Sequence, residues 1–288
     1  MQSVIIGCGD IGRRVIKGLL SQGHNETDII GLVNTVESTE RCAKLGVIGL
    51  RFDLDTLNRN LSFCSESYVY YMVPPQKSGV SDTRSQAILD HFTQEEIKPK
   101  KVVLISTTGV YGDCDGQWVT EETVTKPQTD RGKRRLNSEQ QWQQWGRENK
   151  VPVVILRVPG IYSYSRLPEQ RIKKQTPVVR PEDCGFTNRV HADDLALMCI
   201  AAIRKGKQGE IFNATDGQPG KISEYLQEAA KALNLEPLPE ISMEEGKSLL
   251  SKEMLSYLNE SRKISNEKIL KMLNIDLRHP NFREGIKH

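Results

Sequence analysis

Gly7, Gly9 and Gly12 stand at G-x-G-x-x-G spacing in Gly7-Cys8-Gly9-Asp10-Ile11-Gly12, directly after the apolar run Ser3-Val4-Ile5-Ile6. A strand, such a loop and then a helix make a cradle for a pyrophosphate. Gly7 permits the tight turn, Gly9 lets the backbone approach the phosphates, and Gly12 lets the helix pack close to the strand. The helix opening at Asp10 and Ile11 supplies oriented N–H donors. The chemistry implied is binding of a nicotinamide dinucleotide. A second apolar run, Ile29 to Val33, ends at Asn34-Thr35. An Asp or Glu at that point accepts from the ribose 2′-hydroxyl and selects NAD. The amide of Asn34, with Arg13 and Arg14 placed to reach a 2′-phosphate, favours NADP over NAD; Glu37, a little further on, is the acid that would reverse the preference. Cys8 lies at the expected helix N-terminus, where a thiol pKa can fall. A small residue filling a tight turn is its plainer reading.

The elements that must position these residues alternate. Strands are expected at 3–6, 29–33, 47–52, 68–73, 102–106, 153–158 and 211–214. Helices are expected after the glycines (Ile11, Val15 and Leu19 on one face), and at 82–92, 130–148 and 193–204. Alternation of this kind argues for a doubly wound Rossmann α/β fold, a parallel sheet with helices on both faces. The last third reads as helices at 223–233, 246–258 and 266–273. The domain expectation is a dinucleotide-binding unit over 1–160, with 189–215 returning to the sheet, and a smaller, mostly helical substrate lobe from 161–188 and 216–288.

Bulk properties exclude other classes. The chain has 288 residues, 27% charged and 37% hydrophobic, with net charge +3. That balance and the scatter of basic residues argue against nucleic acid as a partner. No run approaches the roughly 18 apolar residues of a membrane span, and Met1-Gln2 leads straight into a strand. A cytoplasmic location with no membrane partner is the expectation. The six cysteines include no Cys-x-x-Cys pair, so no zinc site is expected. His191, Asp193 and Asp194 read as a helix start whose acids complement the dipole rather than as metal ligands.

From Ser106-Thr107-Thr108-Gly109-Val110-Tyr111-Gly112 onward the chain resembles the extended short-chain dehydrogenases/reductases, the nucleotide-sugar epimerase and dehydratase group. Leu156-Arg157-Val158-Pro159-Gly160-Ile161-Tyr162 is similar to that family's Leu-Arg-x-x-x-Ile-Tyr-Gly stretch, with Ser163 in place of its last glycine. Val190-His191-Ala192-Asp193-Asp194 resembles its Val-His-Val-Asp-Asp segment. Lys263-Ile264-Ser265-Asn266 and Pro280 to Gly285 resemble its closing motifs. The matching segments keep the family's order over nearly the whole chain, and the atypical branch with a short glycine loop is the most similar. The resemblance implies that Asp53-Leu54 contacts the adenine side of the cofactor and that Val73-Pro74 forms the loop beside its ribose.

The same resemblance exposes a departure. The family's reaction centre pairs a Tyr-x-x-x-Lys on one helix face with a Ser or Thr at the fifth strand. Thr107 occupies the last position, but Arg131 stands where the Tyr belongs and Arg135 where the Lys belongs. Arg135 retains the capacity to hold ribose hydroxyls. A guanidinium stays charged and shuttles no proton near neutral pH, so Tyr111, Tyr162 and Tyr164 are the substitute acids to consider. With Thr107, Tyr111 and Arg131 as the catalytic candidates, two readings follow. One is an NAD(P)-dependent epimerase/dehydratase or reductase acting on a small, polar, sugar-like substrate. Arg131, Arg135, Arg157 and Arg189 would suit an anionic group on it. The other is a dinucleotide-sensing or interaction protein without catalysis.

Overall fold

Most apolar runs of the first 160 residues form strands buried on both faces, as a parallel sheet covered by helices requires. The structure, a computed structural model, describes residues 1–57 and 59–287. The strands are β1 (Ser3–Ile6), β2 (Ile29–Val33), β3 (Ile48–Arg51), β4 (Tyr68–Tyr71), β5 (Lys101–Thr107), β6 (Trp118–Val119), β7 (Val153–Val158), β8 (Gly160–Tyr162), β9 (Val178–Val179), β10 (Arg189–His191), β11 (Ile211–Asn213), β12 (Glu240–Ile241) and β13 (Lys263–Ile264). The helices are α1 (Asp10–Ser21), α2 (Val36–Ala43), α3 (Thr83–Gln94), α4 (Asp130–Asn149), α5 (Glu169–Lys173), α6 (Ala192–Lys205), α7 (Ile222–Ala232), α8 (Met243–Leu249), α9 (Lys252–Leu258), α10 (Glu267–Leu273) and α11 (Phe282–Gly285).

Seven strands form one parallel sheet in the order β11-β7-β5-β4-β1-β2-β3. The chain winds outward from β1 to β3, then crosses back to β4, so the crevice of this doubly wound sheet lies beyond the carboxyl ends of β1 and β4. On one face α1 and α6 pack closely: a Cβ on Gly18 would lie 2.6 Å from Ile200 Cδ1. On the other face Trp142 and Trp145 of α4 pack with Phe92 of α3, and Trp142 also meets Tyr71 of β4. The polar α4 is anchored there because Trp142 Nε1 donates to the buried Ser85 Oγ at 3.0 Å.

Outside the large sheet the chain builds parallel two-stranded ladders, β8 with β10, β9 with β12 and β6 with β13. These short ladders carry no sequence period long enough to read. Of the segment expected to return to the sheet, β11 joins it, whereas β10 pairs with β8. The helix expected over 246–258 is two helices. Leu250 is extended, and Ser251 caps α9 by accepting from Met254 N. The fourth strand ends at Tyr71, leaving Met72, Val73 and Pro74 as loop.

Candidate functional site

The glycine loop has three different local reasons for its glycines. Gly7 has φ +85°, and a Cβ there would sit 2.7 Å from Val73 Cγ2. A Cβ on Gly12 would sit 2.9 Å from Ile5 Cγ2, so this residue sets how closely α1 lies on β1. A Cβ on Gly9 would meet nothing nearer than Gly7 O at 3.9 Å. Gly9 is therefore not needed by the protein's own packing, which fits a position reserved for a ligand. No side chain caps α1, so the first-turn N–H groups of Asp10, Ile11 and Gly12 lack an intrahelical partner. The donor set and the open space fit a pyrophosphate.

A cavity of about 370 Å³ lies over this loop. Gly7 and Gly9 form one wall, Asn34 lies at the end of β2, and Asp53 and Leu54 follow β3. Val73 and Pro74 close the side beside β4. Arg84 of α3 clamps Asp55 with two bonds of 2.7 Å, tying the loop after β3 across the cavity. Glu37 is engaged by Arg41 at 2.6 Å. Arg13 and Arg14 do not line this cavity; both face a groove between α1, α2 and α6. Arg14 is held there by Asp193 of α6 and by Asp10 at 3.4 Å, so these ion pairs remove it from the ribose side. Cys8 is buried with its Sγ 3.8 Å from Cys42 Sγ. The neighbouring thiol and burial push the Cys8 thiol up, not down.

A second cavity, about 620 Å³, opens between the ends of β5 and β7 and the small ladders. Thr107 and Arg131 both line it, with Phe186, Tyr257, Glu260 and Arg262 opposite. Thr107 Oγ1 accepts from Gly109 N at 3.2 Å, which leaves its own hydroxyl hydrogen to donate. Arg131 is exposed and has no acidic partner among the described residues. Arg135, one turn along α4, donates to Ile105 O at 3.1 Å and to Val73 O at 3.4 Å. Arg135 lines neither cavity, but through Val73 it braces one wall of the first. Burial pushes its pKa down to about 10. Arg262 pairs with Glu260 at 2.6 Å and donates to Gly112 O at 2.5 Å.

Several expected site residues lie elsewhere. Tyr111 is 1% exposed and donates to Asn213 Oδ1 at 2.8 Å, beneath the Arg157 guanidinium 4.8 Å from its ring. Burial raises its pKa, so Tyr111 is a floor residue and not a cleft acid. Tyr162 packs in the small-lobe core against His191 and Tyr225, and burial raises its pKa as well. Tyr164 is exposed but lines neither cavity. Arg157 is buried and paired with Glu139 at 2.8 Å, and Ser106 Oγ donates to the same carboxylate at 2.5 Å. Arg189 is buried between the rings of Tyr225 and Phe282, at 4.4 and 5.3 Å. Neither of these arginines is available to a substrate anion.

His191, Asp193 and His279 bring ligand-capable atoms within 4.8 Å of one another. Their contacts serve the fold. His191 Nδ1 caps α6 by accepting from Asp193 N at 3.2 Å, and its ring stacks on His279 at 3.7 Å. Asp193 pairs with Arg14, and Asp194 accepts from the N–H groups of Arg278 and His279, each at 2.9 Å. Sequence reasoning missed Tyr257, Glu260 and Arg262. They lie far downstream of Thr107 and reach the cleft through α9 and the loop after it, with no motif to mark them.

The model of the NAD dependent epimerase/dehydratase family matches residues 4–215. A protein of unknown function from Silicibacter pomeroyi DSS is similar in structure, with TM-score 0.86 and 26% identity, over 99% of this chain and 96% of that one. The UDP-glucuronic acid 4-epimerase of Bacillus cereus, solved with NAD, shares the fold at TM-score 0.77 and 18% identity, over 100% and 96% of the two chains. Human dTDP-D-glucose 4,6-dehydratase is 26% identical over 126 residues, 41% of this chain. That match spans 36% of the dehydratase's own length. No helix among the described residues is long and apolar enough to cross a membrane.

Proposed function

The chain belongs to the NAD-dependent epimerase/dehydratase family, and on that premise we propose that it is a catalyst of that type, acting on a small, sugar-like substrate that carries an anionic group. The observation that carries the reading is that two cavities, one over the glycine loop at the ends of β1 to β4 and one at the ends of β5 and β7, both open at the carboxyl edge of the same sheet. The first cavity would hold the dinucleotide. Gly7 and Gly9 give its pyrophosphate room, the first turn of α1 supplies donors, and Asn34, Asp53 and Leu54 flank the adenosine half. Val73, Pro74 and Arg135 flank the other ribose. The bound nicotinamide would take a hydride from the substrate and return it.

NADP is the proposed preference. Asn34 offers no negative charge where a carboxylate would repel a 2′-phosphate, and Glu37 is occupied by Arg41. Arg13 and Arg14 play no part in this preference, given where they point. In the second cavity Thr107 donates to the substrate oxygen, and Arg131 neutralises the anionic group with its planar fork of donors. Tyr257 supplies the proton transfer that Arg131 cannot. Among the described residues lining the cleft it is the one phenol, and Glu260 is tied to Arg262.

The test is a titration with NAD and NADP, followed by absorbance monitoring of the bound cofactor on mixing with a panel of nucleotide hexoses. A reduction transient in wild type, lost in Thr107→Val and Tyr257→Phe with cofactor affinity kept, is the expected result. Cofactor binding with no transient from any sugar would make the chain a dinucleotide-binding protein without turnover.

A further inference from the structure

We infer that the groove between α1, α2 and α6 is a second ligand site, taking a small molecule that carries two or more phosphates. It shares no lining residue with either cavity described above and has a volume of about 700 Å³, the size range of small-molecule sites. Six cationic side chains line it against two carboxylates. Those carboxylates, Asp10 and Asp193, are both consumed by Arg14, and Asp10 also by Arg166. Arg13, Lys17, Lys44 and Arg278 have no acidic partner among the described residues. Arg41 is the exception, through Glu37. The groove thus carries more uncompensated positive charge than the net +3 of the whole chain, and a concave wall focuses that field.

The arrangement works against α1. Arg13 and Lys17 are like charges four residues apart on α1, a spacing that costs about 0.2–0.5 kcal/mol. An ordinary solvated helix face would alternate signs at that spacing. Arg41 and Lys44 stand at the end of α2 opposite them, so an anion between the two helices meets donors from both sides. An oligophosphate presents several oxygens to such a set of donors. The floor is apolar, formed by Leu45, Ala196, Leu197 and Ile200 where Gly18 lets α1 and α6 close up. A ligand with an organic part beside its phosphates would cover it.

The experiment is calorimetric titration of the NAD-saturated protein with sodium tripolyphosphate and, in parallel, with ATP, at low and physiological salt. NAD keeps the glycine loop filled; should neither NAD nor NADP bind, the cofactor reading fails and the tripolyphosphate titration of the free protein decides this one. The expected result is a single site whose affinity falls as salt rises. In Lys17→Glu/Lys44→Glu, two exposed positions, affinity should drop by about tenfold or more with the melting temperature and NAD affinity kept. Tighter binding of ATP than of tripolyphosphate assigns a nucleotide; equal binding assigns the phosphate chain alone. No binding to wild type, or equal binding to the charge-reversed variant, overturns the inference. So does loss of the site on replacing NAD with NADP, which would make the groove the pocket of the 2′-phosphate.

Discussion

Gly9→Val separates the needs of the ligand from the needs of the fold. The backbone at Gly9 has φ −78°, so a side chain brings no left-handed strain. Its Cβ would touch only Gly7 O, at 3.9 Å, so the protein has room for the first carbon of a side chain. The added methyls would fill the space over the first turn of α1, where the pyrophosphate is proposed to bind. Displacing it forfeits about two charge-assisted bonds from backbone N–H groups, about 1.5–3 kcal/mol each. The loss is then about 3–6 kcal/mol, or two to four orders of magnitude in Kd. Gly12→Val is the contrast. Its Cβ would press to 2.9 Å from Ile5 Cγ2 and 3.2 Å from Cys8 Sγ, an overpacking that costs about 1–3 kcal/mol of stability. Calorimetric cofactor titration and thermal melting on both variants read the two effects separately. Gly9→Val should melt like wild type and fail to bind; Gly12→Val should melt lower. If Gly9→Val binds the cofactor within a few-fold of wild type while keeping its melting temperature, the pyrophosphate does not lie over this loop.

In the cleft, Arg131→Ala should raise KM more than it lowers kcat, and Arg135→Ala should weaken cofactor binding, both read by steady-state kinetics and titration; an unchanged KM in the first would remove Arg131 from the substrate. Glu139→Ala leaves Arg157 buried and unpaired, so denaturant unfolding should report a loss of about 3–5 kcal/mol. Two buried groups give opposing pH slopes. Burial holds His191 down to about 4 from 6.5, so its contribution is present above about 6.5 and lost as pH falls toward 4. Burial pushes Asp216 up to about 7 from 3.8, so its contribution is present below 3.8 and lost as pH rises through 7. Asp216→Asn removes the second slope; between pH 7 and 5 the variant should lose about 2 kcal/mol relative to its own value at pH 7, whereas wild type changes less.

The sheet was legible because each strand is a short apolar run with punctuation. Ile29 to Val33 and Val153 to Val158 are strands at the expected bounds, and the glycine spacing marks the turn after β1. The lobe was not, since strands of two or three residues such as Trp118–Val119 and Lys263–Ile264 have no period. The break at Leu250-Ser251 turns on one serine hydroxyl in a stretch whose spacing suits one helix. In the site, sequence order brings Thr107 and Arg131 to one cavity because both follow from β5 and the start of α4. Tyr111 misled because four residues past Thr107 the chain turns through a short helical turn into the interior, where Asn213 takes its hydroxyl. Charge alone could not distinguish Arg157 and Arg189 from Arg131. What distinguishes them is burial with a carboxylate or between aromatic rings, a property of the tertiary fold.

If Arg131 and Arg135 stand in for the family's Tyr and Lys, as the resemblance implies, the source of a proton changes. Both guanidiniums remain charged at neutral pH, so the start of α4 offers the cleft the positive charge of Arg131 but no acid–base pair. On the proposed reading an anionic substrate group is drawn to that charge, and its reacting hydroxyl then needs an acid or base on another side. On the proposed reading Thr107 fixes the oxygen from the sheet, and Tyr257 approaches from α9 of the small lobe. The family's reaction keeps its acid and its ribose-holding cation on one rigid helix. Here the two would be carried by different parts of the chain, so turnover would depend on how closely the lobe packs on the sheet. That dependence gives the lobe contacts a catalytic consequence. Weakening the Arg262 bond to Gly112 O, which ties the loop after α9 to the turn after β5, should lower kcat while leaving cofactor affinity intact.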